Sequence, residues 1–220
     1  MGKGVISRKT IFSLILSGFV LVLLFLHQTI LTGAGRFLSP QGTGNADVVV
    51  VEGSEVIRED AIRSGLKLLS SGNALRLVVV YQKAERKRIF AWPSNYSLFL
   101  IRELEEVGLR KDQIIVLEVP EEHPVTITEA KVVLSNLSKS GVRRVILVTE
   151  GFHTRRSLWA YKEVGSSLGI EIIPYPYFTR YHSGNWWQQI YGTKDFFEES
   201  LKFFYYLLRG YIPIKSLFVS

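Results

Sequence analysis

Three side chains that can bind an anion or transfer a proton lie close together in the second half of the chain. His153, Arg155 and Arg156 directly follow the turn Thr149-Glu150-Gly151. An imidazole titrates near neutral pH and can act as a general acid or base, whereas an arginine can hold a phosphate or carboxylate through two parallel hydrogen bonds. Because the two arginines are adjacent, only one can face a given site, and we expect the other to pair with Glu150 or to reach solvent. The segment predicts anion binding and permits proton transfer.

This turn separates a predicted buried strand from a predicted helix. Val145 to Val148 is an unbroken aliphatic run, typical of a strand buried on both faces of a parallel sheet. Leu158, Tyr161 and Leu168 then recur with helical spacing. Open α/β folds bind ligands at such turns, where the N–H groups at a helix N-terminus favour an anion.

Similar strand-like runs occur along the rest of the chain and alternate with helical patterns. The predicted strands lie at about 47–51, 77–81, 113–117, 145–148 and 170–173, the last ended by Pro174 and Pro176. Such alternation implies right-handed βαβ units, and hence a Rossmann-like three-layer α/β sandwich with a parallel sheet of about five strands. If the first and fourth strands are neighbours, Gly53-Ser54 and Thr149-Glu150-Gly151 face each other across the ligand crevice.

Two further polar residues open a helix that precedes the fourth strand. Thr126 and Glu129 have the spacing of a capping box, so each is as good a candidate for capping the helix as for contacting a ligand. Glu52 and Glu118 lie at strand ends, where a carboxylate could act as a base but is also often simply exposed. We assign His153 and Glu129 as candidate catalytic residues, and the turns, Thr126 and the arginines as candidate ligand contacts.

Composition excludes several classes of site. The chain of 220 residues has no cysteine, which rules out disulfides, a thiolate nucleophile and a cysteine zinc site. His123 and His182 lack metal-ligand spacing, and no P-loop, G-x-S-x-G or G-x-G-x-x-G motif occurs, so we assign no metal and no cofactor. Of the net charge of +7, three charges lie at the extreme N-terminus. The remainder is only mildly basic, so we predict no nucleic-acid partner.

The N-terminus predicts a membrane anchor. No charged residue occurs between Thr10 and Gly35, and Ile11 to Leu26 is almost wholly apolar, long enough to cross a bilayer as a helix. Lys3, Arg8 and Lys9 precede the run, so the positive-inside rule places the N-terminus in the cytoplasm and the domain outside. A cleaved signal peptide and a buried core helix are the alternatives, and the length of the run favours the anchor.

These observations divide the chain into three parts. Residues 1–35 form the cytoplasmic N-terminus and the transmembrane anchor, 36–45 a linker rich in glycine and small polar residues, and 46–220 the extracytoplasmic domain. The domain ends in an aromatic helix predicted from Asp195 to Leu208, which is apolar nearly all round. A helix of that kind is either buried or partly in lipid, and packing against the domain is the commoner case.

The order of motifs resembles the SanA/ElyC/YdcF-like family of bacterial envelope proteins, a domain of unknown function. The motifs are A-D-V-V-V-V-E-G at 46–53, T-x-x-E-A at 126–130, V-I-L-V-T-E-G-F-H-T-R-R at 145–156 and N-W-W at 185–187, followed by a helix carrying Glu198 and Glu199. The resemblance covers nearly all of residues 46–210. It departs at three places: Glu52-Gly53-Ser54-Glu55 replaces a glycine-rich turn, Tyr81-Gln82-Lys83 replaces a small-residue turn after the second strand, and Val125 replaces an asparagine.

The resemblance implies a Rossmann-like domain behind one transmembrane helix, with a role in envelope integrity or polysaccharide metabolism. We therefore predict a membrane-anchored envelope protein that binds or processes an anionic precursor, such as a polyprenyl-phosphate-linked sugar. Its predicted partners are the lipid bilayer and an anionic small-molecule or lipid-linked ligand. The alternatives are a non-catalytic binding or scaffold protein, favoured by the departures at Glu52–Glu55 and Val125, and a nucleotide-binding or methyl-donor-binding domain, which an extracytoplasmic location would exclude.

Overall fold

The computed structural model describes residues 7–54, 57–82 and 95–218, without the side chains of Leu24 and Ser54. Lys3, which contributes to the topology prediction, lies outside the described residues, and so does the side chain of the predicted ligand contact Ser54.

Five parallel strands form one sheet in the order β3-β2-β1-β4-β5. The strands are β1 Val48–Ser54, β2 Arg76–Gln82, β3 Ile114–Val119, β4 Arg144–Glu150 and β5 Glu171–Tyr177. The predicted α/β fold with a parallel sheet of about five strands is confirmed. The first and fourth strands are also neighbours, as the predicted ligand crevice requires, because β1 pairs directly with β4.

Helices cover both faces of this sheet, which explains why its central strands are aliphatic without alternation. The helices are α1 Arg8–Leu38, α2 Glu59–Ser70, α3 Tyr96–Glu106, α4 Val125–Lys139, α5 Thr154–Leu168 and α6 Ile190–Leu208. One core lies between the sheet and α4 with α5, and a second lies between the sheet and α2 with α3. The result is a three-layer sandwich with α1 and α6 outside it.

The fifth strand is longer than predicted. It continues through Pro174 and Pro176 to Tyr177, whereas the sequence predicted that it ends at Ile173. β5 is an edge strand, and edge strands tolerate proline because a missing N–H on the open side breaks no ladder hydrogen bond. The Pro174 carbonyl points to that open side, where it accepts a hydrogen bond from Gly42 N–H at 2.8 Å.

The N-terminal helix α1 projects from the domain and is held to it only by its last turns. Most of its large apolar side chains between Ile11 and Ile30 are exposed, whereas Leu38 is buried. α1 ends at Leu38, three residues beyond the predicted end of the anchor. No unbroken helix in the described chain is long and apolar enough to span a membrane, but the two parts of α1, Arg8–Leu23 and Phe25–Leu38, which meet at a bend of 49°, pass that criterion together.

The C-terminal helix α6 begins at Ile190, five residues before the predicted start. One face packs through Phe203 and Tyr206 against Trp159 of α5. The other face leaves a run of large apolar side chains exposed, namely Phe197, Leu201, Phe204, Tyr205 and Leu208. The prediction that this helix packs against the domain therefore holds for one face of α6, and the other face is exposed.

Candidate functional site

A cleft of about 810 Å³ opens at the carboxyl ends of β1 and β4. This is the point where the strand order reverses, and open α/β sheets bind ligands there. The end of β1 contributes Gly53, the end of β4 contributes Glu150, and the N-terminus of α5 contributes its N-cap residue His153 and Arg156. The opposite wall comes from the end of β5, the segment after it and α6, with Tyr177, Phe178, Thr179, Arg180, Tyr181, Tyr191, Lys194, Asp195, Glu198, Glu199 and Lys202.

His153 lies between two carboxylates. Its Nε2 is 3.0 Å from Glu52 Oε1 and its Nδ1 is 3.1 Å from Glu199 Oε2. Burial alone would lower the pKa of His153, but the negative charges of Glu52 and Glu199 outweigh burial and the repulsion from Arg156, and raise the pKa to about 9. The imidazole is therefore cationic at neutral pH, with a carboxylate oxygen facing each ring nitrogen. It can donate a proton but has no lone pair with which to accept one.

Ser157 completes one side of this arrangement, but it is not placed to act as a nucleophile. It lies one helical turn after His153, its Oγ is 2.8 Å from His153 Nε2, and its hydroxyl donates to Glu52 Oε1. Serine, histidine and Glu199 thus have the connectivity of a hydrolytic triad. Ser157 is, however, 0% exposed, so its oxygen cannot reach a molecule in the cleft. The hydroxyl fixes the orientation of the histidine and glutamate side chains.

Arg156 forms the second cationic element and is also paired internally. Its Nε and Nη2 lie 3.1 and 3.0 Å from Glu199 Oε2, and its Nη1 donates to Thr126 Oγ1 at 2.8 Å. Nη2 also lies 2.8 Å from His153 Nδ1, a contact that is a hydrogen bond only for a neutral imidazole. Burial would raise the pKa of Glu199, but the two cations hold the pKa of this carboxyl well below its usual range. Most of the capacity of Arg156 to bind an anion is thus already used by Glu199.

Glu129 lies beneath the cleft and is 2% exposed. Its Oε1 accepts hydrogen bonds from Gly53 N–H at 3.0 Å and from the Tyr161 hydroxyl at 2.8 Å. Burial, helped by the nearby charge of Glu52, raises the pKa of Glu129 to about 8. The Gly53 N–H at the end of β1 therefore donates to a buried glutamate and is not available to a phosphate. A side chain at Gly53 would also collide, since an added Cβ would lie 2.8 Å from Glu129 Oε2.

Glu52 is the least satisfied polar group of the site. Its side chain is 6% exposed, and its Oε2 is buried with no hydrogen-bond partner among the described residues. A small chamber of about 70 Å³ adjoins the cleft and is lined by Glu52, Thr149 and His153 among others. Such a volume is enough for a few water molecules.

The remaining predicted residues fall into two groups. Glu150 lines the cleft and pairs with Arg58 at 2.9 Å, and burial raises the pKa of Glu150. Thr149 and Gly151 are buried: the Thr149 hydroxyl donates to Thr154 Oγ1 at 2.7 Å, and an added Cβ at Gly151 would lie 2.8 Å from the Phe178 ring. These two residues shape the turn without facing the cleft.

Arg155 is not brought to the cleft. Its Nε donates to the Ser216 carbonyl at 2.9 Å, its Nη1 donates to the Phe37 carbonyl at 2.8 Å, and the guanidinium stacks on the Phe37 ring at 3.8 Å. The expectation that the second arginine pairs with Glu150 or solvent is wrong. Adjacent residues on a helix point about 100° apart, and this direction leads to the junction of α1 with the C-terminal segment.

Several residues of the site were missed by the sequence-based assignment of roles. Ser157 and Tyr161 follow His153 by four and eight residues, so helical spacing alone would have placed them on the same face of α5. Glu199 appeared only as a residue of a matching helix, and Arg58, Arg180 and Lys194 carried no local signal. Their positions depend on how distant segments pack.

Comparison of the chain with family models, with curated proteins and with solved structures gave no match. The resemblance to the SanA/ElyC/YdcF-like family therefore stays a prediction from motifs, and the function must be argued from the cleft.

Proposed function

We propose that this chain is a membrane-anchored bacterial envelope protein whose domain lies outside the cytoplasmic membrane, with α1 as its single span. In this proposal the cleft between β1 and β4 binds or processes an anionic envelope precursor, such as a polyprenyl-phosphate-linked sugar, and the protein serves envelope or polysaccharide homeostasis. The observation that carries the proposal is the open cleft at the switch point, with a cationic His153 in its wall.

The lining of the cleft suits a ligand that is partly charged and partly a polar ring. Tyr177, Phe178, Tyr181 and Tyr191 present aromatic surface, while carboxylates and cations alternate along the same walls. Pockets of this kind use apolar rings for contact area and a few polar groups for orientation. Sugar hydroxyls are suited to carboxylate acceptors, and a phosphate is suited to a cation.

Binding is better supported than turnover, which makes a non-catalytic binding or scaffold protein the second candidate. Both ring nitrogens of His153 face carboxylates, Arg156 is paired with Glu199, and Ser157 is enclosed. A general base would need a free lone pair within reach of the ligand. His153 retains one catalytic role, as a general acid that protonates a leaving oxygen.

Mass spectrometry of lipids and nucleotides that co-purify with the detergent-extracted protein tests the proposal. We expect a phosphate-bearing molecule with the wild-type chain and its loss in Thr179→Trp, which fills the cleft from an exposed position in its wall. Leu75→Trp, at a position 76% exposed outside the cleft, serves as the matched control and should retain the molecule. Equal recovery of the same molecules from all three proteins would overturn the proposal.

A further inference from the structure

The cations that line the cleft differ in whether their charge is already neutralised. Among the described residues of the cleft, five are arginines or lysines. Three of these have carboxylate partners: Arg58 pairs with Glu150, Arg156 with Glu199, and Lys202 with Glu198 and Glu199.

The other two cations, Arg180 and Lys194, have no carboxylate partner within ion-pair distance in the described part of the chain. Both are exposed and both belong to the wall that follows β5. Arg180 stacks on the ring of Tyr191, with its guanidinium carbon 4.3 Å from the ring centre, and this contact leaves the guanidinium N–H edges available. Because a free cation gains more from an anion than a neutralised one, an anionic group in the cleft is drawn to this wall.

The same wall is fixed to the end of α1 by a cluster of aromatic side chains. Phe178 and Tyr181 pack against Phe152, which in turn contacts Trp186. The indole N–H of Trp186 donates to the Leu31 carbonyl of α1 at 2.9 Å. Close approach is built in at Gly35, where an added Cβ would lie 2.4 Å from the Ser183 carbonyl oxygen. The wall with the two free cations is therefore the one that contacts the apolar helix.

An exposed apolar strip adjoins these cations. Ile190 is 79% exposed and Tyr191 is 53% exposed at the first turn of α6, and Tyr191 also lines the cleft. Apolar side chains this exposed next to a cationic rim suit a ligand that carries hydrocarbon beside its charge. A freely soluble phosphate ester would make no use of them.

We infer that Arg180 and Lys194 form the anion subsite of the cleft, and that they hold the phosphate of an amphiphilic ligand whose apolar chain passes over Ile190 and Tyr191. The polar remainder of the ligand then points inward, toward His153 and Glu199. This inference rests on the proposed function, and it moves the anion site from the strand-to-helix turn after β4 to the segment after β5.

At the inner end of the cleft the groups that could bind a phosphate are already paired within the protein, which supports this assignment. Gly53 N–H is taken by Glu129, and the charge of His153 is balanced by Glu52 and Glu199. Asp195 also faces the cleft, but its carboxylate accepts a hydrogen bond from the Tyr181 hydroxyl at 2.8 Å, so it is held on the Tyr181 side. Hydrogen-bonding groups that are already paired with each other suit sugar hydroxyls better than a negatively charged phosphate.

Two probes and two matched double variants test the inference. The full-length protein in detergent is titrated with nanodiscs that contain polyprenyl phosphate, and separately with glucose 1-phosphate. Arg180→Ala/Lys194→Ala removes the two free cations of the wall. Arg102→Ala/Lys67→Ala removes the same charge from exposed positions on α3 and α2, outside the cleft.

We expect the first pair of changes to raise the Kd for the lipid probe at least tenfold, and the control pair to change it less than twofold. Ile190→Ser should weaken the binding of the lipid probe severalfold and leave the binding of glucose 1-phosphate unchanged, since only the lipid places a chain on that surface. Serine is well tolerated in the first turn of a helix, so the fold is not at risk.

The outcomes separate the two levels of the argument. If the wild type binds the lipid probe and Arg180→Ala/Lys194→Ala binds it equally well, the subsite is wrong and the proposed function stands. If Ile190→Ser has no effect, or weakens both probes alike, the path assigned to the chain is wrong. If the wild type binds neither probe, the proposed function fails and the subsite fails with it.

Discussion

Replacing Glu199 by glutamine tests the charge network on which the site is built. Glu199 faces His153 at 3.1 Å and Arg156 at 3.0 Å, and all three side chains are largely buried. A pair of unit charges at about 4 Å interacts by about 4 kcal/mol at an effective dielectric constant of about 20, and breaking a buried pair costs about 3–5 kcal/mol. Because the glutamine still accepts hydrogen bonds, the cost should lie at the low end of that range. We therefore expect Glu199→Gln to lower the free energy of unfolding by about 3 kcal/mol.

The same change should also alter the titration of His153. Glu199 is one of the two carboxylates that raise the pKa of His153 to about 9, so the pKa in Glu199→Gln should fall by about one unit or more. Urea denaturation of the full chain in a mild detergent, followed by tryptophan fluorescence, measures the stability. NMR titration of the histidine ring signals measures the pKa, with His153→Gln identifying the resonance.

Glu198→Gln is the matched control. Glu198 precedes Glu199, has a half-exposed side chain and pairs with Lys202. Exposed pairs contribute about 0.2–1 kcal/mol, so this variant should unfold nearly as the wild type does. If the two variants differ by less than about 0.5 kcal/mol and His153 titrates alike in both, the account of a charge network around His153 is refuted.

Three further predictions follow from other contacts. Arg155→Met should lower the free energy of unfolding by about 2–4 kcal/mol because one buried and one partly buried carbonyl lose their donor, and Arg155→Lys should restore little of it; an unfolding curve like that of the wild type would contradict this. His153 has a pKa raised from 6.5 to about 9, so its stabilisation is complete below about pH 6.5 and is lost as pH rises through 9. We expect this loss to lower the free energy of unfolding by about 3 kcal/mol, which unfolding curves recorded at each pH would measure. In His153→Gln this part of the pH dependence should be absent. Gly53→Ala should cost about 1–3 kcal/mol because its Cβ would meet Glu129, whereas Gly33→Ala, at an exposed position of α1 with no atom within 4 Å of the added Cβ, should not lower stability.

The parts of the fold that were predicted correctly are those that a short stretch of sequence determines. Aliphatic runs such as Val145 to Val148 are buried strands, and their alternation with helical spacing leaves few architectures to choose from. The errors came from context that sequence does not carry. Pro174 was expected to end β5, but an edge strand has room for it, and the position of β5 at the edge depends on the order of all five strands.

The candidate site also has a part that the local sequence predicts and a part that depends on the packing of distant segments. His153 and Glu150 could be found because they lie at a strand-to-helix turn, a position that local sequence defines. The partners of His153 are 101 residues earlier in Glu52 and 46 residues later in Glu199, so no local pattern joins them. Arg155 and Arg156 are equivalent by sequence, and only the packing of α1 and the C-terminal segment decides that Arg155 points away from the cleft.

The central claim, that the cleft holds an anionic ligand with an apolar chain, is tested most directly by photo-crosslinking in the intact envelope. A photoreactive phenylalanine analogue at Thr179, in the wall of the cleft, should capture a phosphate-bearing lipid that mass spectrometry identifies on the peptide. The same analogue at Leu75, exposed and outside the cleft, should capture none. Capture of no lipid at Thr179, or of the same lipids at both positions, would contradict the account.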